Sequence, residues 1–157
     1  MSDNTKNKKV EIEDGFSKDH IDQLHKAVLG FSSQSFEIKK MCVTVEIGAF
    51  TLIVSAFKDN YSDPKFIALL KIIGLAIPIL FYIVDVCTYF YQDKLRGLMY
   101  IEENEIKVRH NIQINKNERF EETKFIGFKR LLRSIFAVSN IIYWGLILLS
   151  IIFPLII

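Results

Sequence analysis

Cysteine, histidine and glycine-rich runs are scarce in this chain of 157 residues. The two cysteines, Cys42 and Cys87, lie inside apolar blocks at a spacing that suits neither a disulfide nor a metal site. They read as small buried hydrophobes. The three histidines, His20, His25 and His110, are scattered, and the first two stand five apart, off a common helical face. No glycine-rich phosphate loop, HExxH pair or nucleophile elbow occurs. Catalysis therefore has no foothold, and the chain reads as a non-enzyme without cofactor or metal. Internal repeats and low-complexity tracts are also missing, and no basic start followed by an apolar run marks a cleavable leader. The net charge is only +2.

What is abundant is apolar sequence, and its distribution matters more than its amount. Charges concentrate in 1–40 and 91–134, leaving the blocks 41–57, 66–91 and 135–157 almost free of them. The second and third blocks meet the roughly 20 residues that a bilayer core demands, while the first is shorter and carries Glu46. The expected fold is an all-α membrane protein with three transmembrane helices. Its expected parts are a disordered tail over 1–16, an amphipathic cytoplasmic helix over 17–40 and a transmembrane hairpin over 41–91. A cytoplasmic segment over 92–134 and a third span over 135–157 follow. Lys94, Arg96, Lys107, Arg109 and further cations load 91–134, whereas "KDNYSDPK" at 58–65 is balanced. The positive-inside rule then places the N-terminus and 91–134 in the cytoplasm, and the short loop and C-terminus outside.

Within 17–40, Ile21, Leu24, Val28 and Phe31 form an apolar stripe that would lie on the inner leaflet or pack on a partner helix. Ser17 suggests an N-cap with Phe16 and Ile21 as a staple, and Gly30 with "SSQS" suggests a bend. The second membrane helix is expected to continue through "YQDKLRGLMY". Beyond it, Ile106, Val108, Ile112 and Ile114 alternate with polar residues, the period of a β-strand or of an extended loop that imitates one. Residues 118–134 return to a helical pattern after a cap at Asn117, with Phe120, Phe128, Leu131 and Leu132 toward lipid or protein.

Counted from cytoplasmic ends at Lys40, Gln92 and Ser134, Glu46, Asp85 and Asn140 fall at one depth, roughly 9–10 Å into their helices. A carboxylate at bilayer depth costs several kcal/mol, roughly 2.5 to 3.5 on insertion scales, so such a layer requires a reason. It can be hydrogen-bonding glue between helices, a carboxylate lining of a water-filled pore, or an ion-carrier site. Asp85, Tyr89, Gln92 and Arg96, spaced four, three and four, share one face of their helix. The basic residues Arg96, Arg109, Lys124, Lys129, Arg130 and Arg133 serve either topology and contact with anionic membrane lipids or the grip of a polyanion, a nucleotide or single-stranded DNA.

Two stretches, "QSFEIKKMCVTVEIGAF" and "IPILFYIVDVCTYFYQDKLRGLMY", carry a resemblance through Ser35, Phe36, Lys39, Asp85, Tyr89, Gln92, Arg96 and Tyr100. Together with the third apolar helix they resemble a family of small bacterial membrane effectors encoded in antiphage operons beside a nucleotidyltransferase, the Hailong type in particular. The resemblance implies a homo-oligomeric inner-membrane ion channel, tetrameric, gated from the cytoplasm by an oligodeoxyadenylate-type ligand that the nucleotidyltransferase makes. The alternative is a non-conducting membrane scaffold that recruits a partner through its cytoplasmic segments.

Overall fold

The computed structural model describes residues 2–58, 61, 63–114 and 126–156, with the side chains of 2–7 and 153–156 outside the description. Among these residues all regular secondary structure is helical and no strand occurs. Helix α1 runs Ser2–Ala56, α2 Pro64–Arg109 and α3 Ile126–Ile135; a 3-10 turn at Val138–Asn140 leads into α4, Ile141–Ile156. Two segments are long and apolar enough to cross a membrane, α2 and the stretch Ile126–Ile152. The apolar part of α1 is shorter, begins beside Lys39 and Lys40, and contains Glu46.

Helices α1 and α2 form an antiparallel hairpin, and their side-chain pairs step evenly along it. Asp14 meets Arg109, His20 meets Glu102, Ser32 meets Gln92, and Lys39 meets Asp85. Near the loop, Ile53, Phe66 and Leu70 bury one another, with Phe57 and Tyr61 tilted against the Phe66 ring at 5.5 Å. Asp63 starts α2: its carboxylate accepts from the Lys65 amide at 2.8 Å, and Pro64, which has no amide hydrogen to lose, occupies the first turn. The stripe of α1 is now assigned, because Leu24 and Val28 are buried in the hairpin and the Val28 carbonyl accepts from Gln92 Nε2 at 3.2 Å.

Several expectations are corrected. Helix α1 is already formed at Ser2, where a disordered tail was expected over 1–16. It does not start at Ser17, and it continues as helix through Gly30. Ser17 Oγ accepts from Arg109 Nη2 at 2.9 Å and Phe16 is exposed, so neither caps nor staples anything. Helical continuity follows from the length of the hairpin partner: α2 passes through 91–100, as its pattern suggested, and goes on to Arg109.

The strand over 105–115 is absent among the described residues. Glu105 to Arg109 complete α2, and Asn111 takes a left-handed φ of 55°. Its amide returns to the Val108 carbonyl at 3.1 Å, and the Ile112 amide to Lys107 at 2.8 Å. That is a Schellman stop, for which asparagine is the commonest residue after glycine. The described part of the 118–134 helix begins at Ile126, while Asn117, Phe120 and Lys124 lie outside the described residues. Cys42 is buried as expected, whereas Cys87 is exposed on the flank of α2.

Helix α4 lies along α2. Tyr82 of α2 stacks edge-on with Tyr143 and Trp144, each at 5.8 Å, and donates from its hydroxyl to the Ile135 carbonyl at 3.0 Å. Deeper, Gly74 lets α4 approach: a Cβ there would stand 2.6 Å from Ser150 Cβ and 2.8 Å from Phe50. Small residues at such crossings allow close backbone contact in membrane helices.

Candidate functional site

The polar residues of the apolar segments do not form one layer. Lys39, from α1, donates to Asp85 Oδ2 at 2.5 Å, and Tyr143 of α4 donates to the same oxygen at 3.3 Å. Asp85 is 1% exposed. A positive partner in direct contact is what makes a buried carboxylate tolerable. Lys39 also donates to Ser35 Oγ at 2.6 Å, one turn back along α1.

Glu46 belongs to a second level. It lies seven residues beyond Lys39 on α1, which is about 10 Å along the axis. Ser150 Oγ of α4 lies 2.9 Å from both Glu46 Oε1 and the Leu146 carbonyl. Glu46 is 4% exposed and forms the polar floor of a groove of about 330 Å³ whose walls include Val43, Ile47, Phe50 and Leu149. Asn140 has a local task at the junction of α3 and α4, where its amide donates to the Ser134 carbonyl at 2.8 Å. The expected common slab fails because it counted each helix from its own presumed inner end, whereas packing sets the register by pairing Lys39 with Asp85. One property does unite the three residues. Asp85 Oδ1, Glu46 Oε2 and Asn140 Oδ1 are each buried without a hydrogen-bond partner among the described residues.

Tyr89, Gln92 and Arg96, from the face that they share with the buried Asp85, line a cleft of about 400 Å³. Helix α1 supplies Ser32, Ser35, Phe36 and Lys39 to the opposite wall, and Ser139 of the 3-10 turn closes one side. Gln92 Nε2 donates to Ser32 Oγ. Most of the positions that carry the sequence resemblance therefore meet in one place. Tyr89 is half-buried there, and Arg96 has no ion pair among the described residues.

The other basic candidates do not join this cleft. Arg109, thirteen residues along α2, pairs through Nε with Asp14 Oδ1 at 2.8 Å at the far end of the hairpin. His110 Nε2 contacts the other Asp14 oxygen. The His110 hydrogen bond, with Arg109 beside it, holds the Asp14 carboxyl below the ordinary range despite opposing desolvation. Arg130 and Arg133 of α3 turn to Asp93, with contacts of 3.8 and 3.5 Å. Lys129 is exposed, and Lys124 lies outside the described residues. Asp93, 1% exposed, is a residue that sequence reasoning passed over. Its signal was an acid within the polar continuation of α2, with Arg130 and Arg133 three residues apart on a later helix. No group of three or more metal-ligating side chains occurs among the described residues.

No protein-family model, curated protein or solved structure matches the chain.

Proposed function

We propose that the protein is a homo-oligomeric ion-channel effector of the bacterial inner membrane, of the antiphage kind, gated from the cytoplasm by a nucleotide or oligodeoxyadenylate-type ligand. In this reading α1, α2 and the α3–α4 stretch give three spans. The N-terminus and the outer half of the hairpin lie in the cytoplasm, and the C-terminus lies outside. The ligand is the product of a partner nucleotidyltransferase.

The observation that carries the channel reading is Glu46. Its Oε2 is buried and unpartnered at the floor of an otherwise apolar groove between α1 and α4. Buried without a partner among apolar side chains, such a group is costly. If the groove opens toward a common axis when copies assemble, the same carboxylates form a hydrated ring that selects cations. The polar level at Lys39–Asp85 supports a different part of the reading. Its charge is balanced within the subunit, so it holds the helices together and does not line the pore.

Flux from dye-loaded liposomes tests the proposal. The wild-type protein is expected to pass monovalent cations, and Glu46→Gln to lower both flux and cation preference while oligomer size is unchanged. A reconstituted oligomer that conducts nothing, with or without oligodeoxyadenylate, would instead support the non-conducting scaffold. That second reading draws on the Lys39–Asp85 pair, because charges balanced within one subunit can hold helices together without lining a pore.

A further inference from the structure

We propose that the cleft between Ser32–Lys39 of α1 and Tyr89–Arg96 of α2 is a binding site for a phosphate ester. This assignment of the ligand site rests on the gated-channel reading above and locates the gate's input away from Arg109, Arg130 and Arg133, whose charges are engaged by Asp14 and Asp93.

Apart from Phe36 the lining is polar or cationic and holds no carboxylate; Asp85, behind it, balances the Lys39 charge and leaves Arg96 as the cation without an acidic partner among the described residues. Lys39 has three N–H donors, of which Ser35 and Asp85 take two. Arg96 presents a guanidinium without an ion pair among the described residues, a planar fork that suits phosphate oxygens. The serines add to this. Thr44, Thr51, Thr88, Ser134 and Ser150 all turn their hydroxyls back to the carbonyl four residues earlier, which consumes the donor. Ser32 and Ser35 instead accept, from Gln92 and Lys39, and neither donates to another described residue. Their hydroxyl hydrogens remain for a ligand. Phe36, 59% exposed at the rim, offers an apolar surface for whatever the phosphate carries, a base or an acyl chain.

The cleft stands where the apolar part of α2 gives way to its polar continuation, so a phosphate can come from a soluble nucleotide or from a lipid headgroup. Full-length protein in phosphatidylcholine nanodiscs is titrated with a fluorescent short oligodeoxyadenylate. In parallel, nanodiscs containing phosphatidylglycerol are examined by native mass spectrometry for retained lipid. Arg96→Gln is compared with Lys94→Gln, an exposed cation on the neighbouring surface.

A charge-assisted contact predicts a loss of about tenfold or more for Arg96→Gln and little change for Lys94→Gln. Loss of the oligonucleotide supports a soluble ligand, and loss of phosphatidylglycerol alone supports a lipid headgroup. Equal weakening by the two variants, unchanged binding in folded Arg96→Gln, or no binding of either probe to the wild type overturns the site. Binding that persists in a protein without ion flux retains the site and overturns the channel reading alone.

Discussion

Asp85 survives among Ile, Val and Phe side chains because Lys39 reaches it from the facing helix. Removing one member of a buried ion pair strands the other, which typically costs 3–5 kcal/mol, whereas removing both together is often nearly neutral. Lys39→Met is therefore expected to lower the melting temperature of the detergent-solubilised protein sharply. The double variant Lys39→Met with Asp85→Asn should recover most of the loss. A double variant as unstable as the single one would show that the pair does not act as a unit. The outer end of the hairpin offers a pH test. The Asp14 carboxyl titrates below the usual value in the folded chain, so its stabilising effect is complete above pH of about 4. The effect is lost as pH falls through the lowered value. Amide exchange around Ser17 and Arg109 should accelerate over that acidic window in the wild type, and Asp14→Asn should be faster at neutral pH and lack the acid-induced step.

At the scale of helices, a close crossing lies where Gly74 meets Ser150 and Phe50. A methyl group at Gly74 would collide with a Cβ, which cannot swing aside as a long side chain does. Gly74→Ala is expected to cost about 1–3 kcal/mol and to loosen α4 from α2, read out as faster exchange of the α4 amides. Unchanged α4 protection would show that the helices separate without penalty. The apolar blocks and the stripe Leu24–Val28 were legible because each is set by composition or by period. Two features were not. The alternation from Ile106 to Ile114 imitated a strand because it straddles a helix end: Val108 is still helical, Asn111 turns left-handed, and Ile112 lies past the stop. The partner of Asp85 also escaped notice, because Lys39 lies at what looked like the mouth of a membrane span. Its level relative to Asp85 depends on a register between helices that no single segment records.

For the whole molecule, topology is the decisive property. With three spans the C-terminus emerges outside, so a C-terminal alkaline phosphatase fusion should be active and a C-terminal fluorescent reporter dark. The opposite pattern would leave α4 short of a crossing. The evenly stepped register of the long hairpin also has a consequence for how the chain is made. Arg109 lies 95 residues after Asp14 in the sequence, and the pairs between them close in nested order from the loop outward. At bacterial synthesis rates of roughly 5–20 residues per second, Asp14 waits about 5 to 19 seconds for its partner. For most of that interval the ribosome holds a nascent chain whose Leu24 and Val28 are uncovered, Val28 until Gln92 has been made. The first half of α1 is thus exposed to chaperones and proteases for longer than any other described part of the protein, and slow codons before Arg109 would lengthen the wait.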